Sequence, residues 1–172
     1  KDKKPVIVWN MTQRCNLKCV HCYAHAVEVD GTDDINTEQA KAMIDDLAAF
    51  GAPVMLFSGG EPLVRKDLVE LASHATGKGM RAVVSTNGTL ITPQKARELK
   101  EVGLSYVGIS LDGMEDVHDH FRCVPGAFKK ALQGIANCQA EGLKVGLRFT
   151  INKRNVAEIP GIFRLLKELE VP

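Results

Sequence analysis

The stretch PVMLFSGGEP, residues 53–62, joins an apolar run to a turn made of two glycines, a glutamate and a proline. A short apolar run that ends in turn residues is typical of a buried strand. Other runs follow the same pattern: PVIVWNM (5–11), MRAVVS (80–85), SYVGISL (105–111) and KVGLRFTI (144–151). They are nearly continuous in apolar character, as parallel strands covered on both faces are. The sequence therefore predicts five parallel strands.

Helical patterns lie between the predicted strands. The first follows Asn36, with Gln39 three places later as in a capping box, and it ends at Gly51. Further helices are predicted after Asp67, from Pro93, and along the apolar stripes of residues 128–138 and 162–169. Strands that alternate with helices through right-handed crossovers form a parallel sheet. We predict an α/β fold, a partial (β/α)6 TIM-like barrel, in one domain over residues 1–172 that is cut short after its fifth βα unit.

The bulk composition excludes several classes of function. The 172 residues carry 22 basic and 21 acidic side chains, a net charge of +1, so no bulk charge attracts nucleic acid or an anionic membrane. The apolar runs are far shorter than a membrane span. Three of the five cysteines lie within residues 15–22, which is typical of a metal site in a reducing compartment. We expect a cytoplasmic protein without nucleic-acid or membrane partners.

A motif of chemical interest follows each of the first four predicted strands. The cysteine loop follows the first strand, SGGEP the second, STNG (85–88) the third and SLDG (110–113) the fourth. The carboxyl ends of parallel strands share one rim, where ligand sites are built, so these motifs are expected to line one pocket. Asp112 of SLDG is also a candidate cap for the turn that follows it.

The cysteine loop reads CNLKCVHC, residues 15–22. Its spacing lets the thiolates of Cys15, Cys19 and Cys22 serve one metal centre, and it leaves one ligand position open on a four-iron cluster or a tetrahedral zinc ion. His21 or His25 could supply the fourth ligand of a closed zinc site. A closed site does not require a glycine-rich, acid-bearing pocket, but the residues alone leave both alternatives open.

The same loop resembles the signature of the radical S-adenosylmethionine (SAM) superfamily, C-x3-C-x-aromatic-C, with His21 in the aromatic position. The resemblance implies that Cys15, Cys19 and Cys22 hold three irons of a [4Fe–4S] cluster, whose fourth iron binds the amino and carboxylate groups of SAM. It also implies the reaction. An electron from a low-potential donor cleaves SAM, and the resulting 5′-deoxyadenosyl radical abstracts hydrogen from a substrate.

The motif SGGEP resembles the GGE motif of that superfamily. By this likeness Gly59 and Gly60 let the backbone approach SAM closely, and Glu61 accepts a hydrogen bond from its ammonium group. A plain strand-to-helix turn is the alternative, because two glycines followed by Pro62 also make one.

Further contacts to SAM are implied on the third, fourth and fifth strands. SLDG together with HDHFR resembles the branch that contains anaerobic sulfatase-maturing enzymes and other peptide modifiers, in which Ser110 would hydrogen-bond SAM and Arg122 would pair with its carboxylate. Ser85 and Asn87 of STNG are candidates for the ribose or methionine part, and Arg148 is a candidate on the fifth strand. The alternatives are a surface cation for Arg122 and simple turn chemistry for STNG.

Taken together, the long motifs look closest to the radical SAM enzymes of tetrapyrrole biosynthesis. These enzymes serve the siroheme-dependent haem pathway, as 12,18-didecarboxysiroheme deacetylase does, and haem d1 formation. The resemblance implies a tetrapyrrole substrate that loses carboxylate side chains, and a C-terminal domain with a second Fe–S cluster. A peptide or protein maturase is the alternative within the same chemistry. A non-catalytic zinc-binding α/β module is the alternative of another class.

Overall fold

The computed structural model describes residues 3–26 and 34–172. Its strands form one sheet in which each strand pairs in parallel with the next along the chain. They are β1 (Ile7–Asn10), β2 (Val54–Ser58), β3 (Arg81–Thr86), β4 (Tyr106–Ser110) and β5 (Val145–Arg148). This sheet confirms the predicted α/β fold, a partial barrel of parallel strands, and every strand end falls within three residues of the predicted one.

Helices connect and flank the strands. They are α1 (Thr37–Phe50), α2 (Leu68–Gly77), α3 (Pro93–Glu101), α4 (Glu115–Arg122), α5 (Ala127–Ala140) and α6 (Ile159–Glu168), and short 3₁₀ turns span Pro62–Val64 and Val156–Glu158. Among the described residues, none of these helices has the length and apolar character needed to cross a membrane.

Helix α1 begins and ends as the sequence predicts. The side chain of Asn36 accepts a hydrogen bond from the backbone N–H of Gln39 (2.9 Å), and the side chain of Gln39 accepts one from the N–H of Asn36 (3.0 Å). These two bonds complete a capping box. Gly51 closes the helix at φ +86°, a left-handed conformation that glycine adopts without strain.

Helix α4 is the element that the sequence analysis missed. Its eight residues, EDVHDHFR, hold only two apolar side chains, too few for the stripe by which a helix is recognised in a sequence. The helix is fixed by its buried side, which carries His118, Phe121 and Arg122. The carbonyl oxygen of Phe121 also accepts a hydrogen bond from Val20 N–H (2.9 Å), so α4 holds the cysteine loop.

The two faces of the sheet differ in character. One face packs against the helices and forms the apolar core, in which the largest fully buried side chains include Phe57, Met55, Ile109, Ile44, Leu71 and Leu99. The inner face carries small and polar residues toward the strand ends: Ser58, Ser85, Gly108 and Ser110. Val8 on this face is 59% exposed. Strand β1 is therefore covered mainly on the face that packs against the helices.

Candidate active site at the carboxyl ends of the strands

One cavity collects the motifs that the sequence places after the strands. Its lining comes from the cysteine loop and from residues at or beyond the ends of β2 to β5: Cys15, Leu17, Cys19, His21, Cys22, Tyr23, Ala24, Ala26, Ser58, Gly59, Gly60, Ser85, Thr86, Asn87, Ser110, Arg122 and Thr150. All residues predicted to bind the cluster or SAM are in this set except Glu61 and Arg148, and the candidate zinc ligand His25 is outside it. Tyr23, whose hydroxyl lies 3.3 Å from Ser58 Oγ, is a wall residue that sequence reasoning missed.

The glycines of SGGEP are required by the backbone of residues 12–14, which leads into the cysteine loop and lies on them. A Cβ at Gly60 would lie 2.2 Å from the carbonyl oxygen of Arg14, and one at Gly59 would lie 2.5 Å from that of Thr12. Gly60 N–H donates to Thr12 O (2.7 Å), and Glu61 N–H donates to Arg14 O (2.8 Å). The close approach that the structure displays is thus between the glycines and the protein's own backbone, and both glycines also line the cavity.

Each sulfur of the cysteine loop faces a nitrogen donor. The donor and sulfur are 3.4 Å apart in three pairs: Leu17 N and Cys15, Ala26 N and Cys22, and Arg122 Nη1 and Cys19. Burial raises the pKa of the Cys15 thiol to about 11, and it also raises the pKa of Cys19 against the opposing charge of Arg122. Desolvation therefore disfavours a bare thiolate, whereas the donors and a bound cationic centre stabilise one.

The three thiols fit an iron–sulfur cluster. Within residues 3–26 and 34–172, no three His, Cys, Asp or Glu side chains are grouped as the ligands of a metal ion. A cluster requires less convergence than a single ion, because each thiolate binds a different iron and the ligands surround a volume. Cys15, Cys19 and Cys22 all line the same cavity, as ligands placed around one cluster would.

Asp112 has a part in this site that sequence reasoning missed. Its side chain is 1% exposed, with Oδ2 2.6 Å from Arg122 Nη2 and Oδ1 3.4 Å from His21 Nε2. The carboxylate thus holds a guanidinium and an imidazole at the cavity wall. Arg122 is 9% exposed, so the alternative of a surface cation is wrong. The available signal was the position of Asp112 at the end of β4, two residues beyond Ser110.

His118 on α4 supports Asp112 through the backbone. Its Nδ1 accepts a hydrogen bond from Asp112 N–H (3.1 Å), so the ring proton lies on Nε2. The ring is buried, and in the described part of the chain Nε2 has no hydrogen-bond partner. Burial, aided by the charge of Arg122, lowers the pKa of His118 to about 4. His118 is therefore a neutral acceptor at physiological pH.

The lowered pKa of His118 predicts a loss of stability in mild acid. Between pH 6.5 and about 4, the unfolded chain binds a proton at His118 that the folded chain does not, so the free energy of unfolding falls as the pH falls through this window. A shift of this size corresponds to about 3 kcal/mol at most. Denaturant unfolding across this window should show a smaller loss for His118→Asn, whose amide keeps an acceptor but does not titrate. Equal losses in the two proteins would contradict the assignment.

Glu61 ties the loop after β2 to the loop after β3. Its carboxylate is completely buried and accepts hydrogen bonds from Leu63 N (3.0 Å), Thr86 Oγ1 (2.7 Å) and Asn87 N (2.7 Å). Burial raises the pKa of Glu61, and these hydrogen bonds oppose the rise. The carboxylate thus faces donors of the protein, and its contact with the ammonium group of SAM stays a prediction.

Glu61→Gln should destabilise the fold. The carboxamide replaces one acceptor oxygen with an NH2 group, which then faces a buried donor such as Asn87 N–H. A buried group left without its partner costs about 1–3 kcal/mol, to be measured as a fall in the free energy of unfolding. Glu101→Gln on α3, an exposed carboxylate with no ion pair or hydrogen bond of its side chain among the described residues, is the matched control and should unfold like the wild type. If Glu61→Gln is fully stable but binds SAM weakly, the carboxylate binds SAM as the sequence predicts.

Asn87 links STNG to the cysteine loop. Its Nδ2 donates to Asn16 Oδ1 (2.9 Å) and lies 4.0 Å from Cys15 Sγ, while its Oδ1 accepts from Thr89 N (2.9 Å). The motif therefore makes a turn and also reaches the cysteines. Ser85, two residues before Asn87, also lines the cavity.

Comparisons with known proteins agree with this geometry. The family model described as the Radical SAM superfamily matches residues 9–166. Fe-coproporphyrin III synthase of Methanosarcina barkeri is 66% identical over 172 residues, which are 100% of this chain and 43% of that protein. Pre-heme d1 synthase of Dinoroseobacter shibae is 44% identical over 162 residues, which are 94% of this chain and 40% of that protein. This chain thus spans less than half the length of these relatives.

A solved structure shares the fold. The structure described as native anSMEcpe with bound AdoMet superimposes with a TM-score of 0.79 at 22% sequence identity. The match covers 95% of this chain and 48% of that one. At this identity the likeness concerns the path of the chain, and it includes the five-stranded parallel sheet that carries the cavity.

Proposed function

This chain belongs to the radical SAM superfamily, and from that membership we propose that it forms the cofactor-binding part of a radical SAM enzyme. The proposed enzyme cleaves SAM reductively at a [4Fe–4S] cluster. It removes carboxylate side chains from a siroheme-derived tetrapyrrole in haem or haem d1 biosynthesis. The observation that supports the chemistry most strongly is the cavity, where the three clustered cysteines and Arg122 lie together at the ends of the strands.

Cys15, Cys19 and Cys22 would hold the cluster. When bound, the cluster supplies the electron that cleaves SAM into methionine and a hydrogen-abstracting 5′-deoxyadenosyl radical. The nitrogen donors that face the sulfurs would stabilise the ligating thiolates, and Arg122 adds positive charge beside Cys19. The loop offers no fourth thiolate, which leaves a position for SAM.

Arg122 has a buried donor atom, Nε, that the carboxylate of SAM would satisfy. Two of its nitrogens are engaged by Asp112 and by Cys19, while its Nε is buried and has no hydrogen-bond partner among the described residues. A carboxylate would satisfy this donor. The hydroxyl of Ser110 and the backbone of residues 59–60 line the same cavity and are proposed to make further polar contacts to SAM.

The relatives support the tetrapyrrole part of the proposal. The match to Fe-coproporphyrin III synthase covers all of this chain, and the match to pre-heme d1 synthase covers 94% of it. Both names refer to tetrapyrroles. The low-potential electron donor, the role of residues 1–172 as a core domain and a second Fe–S cluster in a C-terminal domain stay predictions.

Release of 5′-deoxyadenosine tests the proposed function. The complete gene product is reconstituted with iron and sulfide without oxygen, reduced, and given SAM with and without didecarboxysiroheme. We expect the tetrapyrrole to stimulate release and to lose the mass of carboxylate side chains. A basal rate that the tetrapyrrole does not change would move the substrate assignment to a peptide. A colourless, inactive protein with stoichiometric zinc would support a non-catalytic zinc module instead.

A further inference from the structure

We propose that Arg148 and Tyr106 form a second anion site, next to the cysteine cavity, that binds a carboxylate side chain of the tetrapyrrole. This inference rests on the function proposed above and specifies how that substrate would be held. Neither residue is among those that line the cysteine cavity.

Both side chains belong to the face of the sheet that carries the cavity. Ser110 of β4 lines the cavity, and alternate residues of a strand share a face, so Gly108 and Tyr106 lie on the same side. In the pairing of β4 with β5, Ser110 is opposite Arg148 and Gly108 is opposite Gly146. Arg148 and Tyr106 therefore approach the inner face from two neighbouring strands.

Two paired glycines make room for these side chains. A Cβ at Gly108 would lie 2.2 Å from Arg148 Nε and 3.1 Å from its Cζ, so the guanidinium stem passes directly over that glycine. A Cβ at Gly146 would lie 2.1 Å from the hydroxyl oxygen of Tyr106. Any larger residue at either position would displace a polar group, and the two groups are thus brought toward adjacent points of the sheet.

The guanidinium of Arg148 has no anion of its own. Its Nε is buried without a hydrogen-bond partner, and within the described ranges Arg148 forms no ion pair. The two arginines that are buried as whole residues are paired: Arg65 lies 2.7 Å from Asp67, and Arg122 lies 2.6 Å from Asp112. Arg148 is half-buried, and a buried donor such as its Nε is unfavourable without a partner, so a carboxylate from a ligand is the partner that this arrangement lacks.

SAM and the tetrapyrrole both carry carboxylates. The position of Arg148 favours the carboxylate of the tetrapyrrole as its partner. Arg122 lies beside Cys19 in the cysteine loop, and its Nε, which has no partner among the described residues, is the proposed donor to the carboxylate of SAM. Arg148 Nε lies over Gly108, two residues before the cavity-lining Ser110 on β4, and Arg148 is not among the residues that line the cysteine cavity. A substrate with several carboxylates can reach both the radical and this second cation.

Equilibrium binding to the reconstituted gene product tests the site. The probes are SAM, didecarboxysiroheme and the methyl ester of that tetrapyrrole, whose side chains carry no charge. Arg148→Met should weaken binding of the free acid about tenfold or more and leave binding of the ester and of SAM unchanged. Arg148→Lys, which keeps the charge but loses the planar fork, should lie between Arg148→Met and the wild type. Arg81→Met, an exposed cation at the opposite end of β3, is the matched control.

Thermal unfolding of the ligand-free protein separates a binding role from a structural one. If the partner of Arg148 is a ligand and not another part of the protein, Arg148→Met should be as stable as the wild type or more stable, since the substitution removes an unpaired cation. Marked destabilisation would overturn the proposal and make Arg148 a structural residue. A loss of SAM affinity with unchanged tetrapyrrole affinity would assign Arg148 to SAM and also overturn it. If the wild type binds neither tetrapyrrole, the proposed function itself fails.

Discussion

Alanine in place of Cys15, Cys19 or Cys22 is expected to abolish both the cluster and the cleavage of SAM. Each thiolate would bind a different iron, so the loss of one leaves an iron with no protein ligand. Burial disfavours the ionised form of Cys15 and Cys19, which weakens any partial binding of iron by whichever of the two remains. Iron and sulfide content, the visible absorbance of the reconstituted protein and 5′-deoxyadenosine release are the measurements.

Cys123 provides the matched control for this series. It is an exposed cysteine at the end of α4, and its thiol contacts only the carbonyl oxygen of His120 among the residues described. Cys123→Ala should therefore load iron and cleave SAM like the wild type. Full activity in an alanine variant at Cys15, Cys19 or Cys22 would remove the assignment of the cluster to this loop.

Asp112→Ala should destabilise the protein by about 3 kcal/mol or more, because the variant leaves the buried cation of Arg122 without its carboxylate. It also removes the group that faces His21. We expect weaker SAM binding as well, since the guanidinium is no longer held at the cavity wall. Denaturant unfolding of the ligand-free protein gives the stability, and equilibrium binding gives the SAM affinity.

A double variant identifies the partner. In Asp112→Ala with Arg122→Met both charges are absent, so the double variant should recover part of the stability that Asp112→Ala loses. Asp116→Ala, an exposed carboxylate on α4, is the control and should change stability little. Additive losses in the double variant would show that the two side chains act independently and would contradict the ion pair as the source of the effect.

The strands and their order could be predicted because the pattern is local. Each strand is an apolar run that ends in a turn motif, and each neighbour in sequence is a neighbour in the sheet. The rim that collects the cysteines, SGGEP, STNG and SLDG follows from parallel pairing alone. Helix α4 could not be predicted in the same way, because it has no apolar stripe. Two of its buried side chains, His118 and Arg122, are polar, and both contact Asp112 on the neighbouring loop.

The roles of individual side chains depended on contacts that no spacing reveals. Glu61 and Asp112 are both acidic residues that follow a strand, and the resemblance assigned a role toward SAM only to Glu61. In the folded chain Glu61 is engaged by backbone and hydroxyl donors of the protein, while Asp112 pairs with Arg122 at the cavity. The difference arises from which loop packs on which strand end, and that is a property of the tertiary structure.

Electron paramagnetic resonance of the reduced, reconstituted gene product, recorded with and without SAM, tests the central claim most directly. That claim is a [4Fe–4S] cluster on Cys15, Cys19 and Cys22 with one iron open to SAM. We predict the signal of a reduced four-iron cluster and a clear change in that signal when SAM is added. A cluster signal that SAM leaves unaltered, or a protein that takes up zinc and gives no cluster signal, would contradict the account.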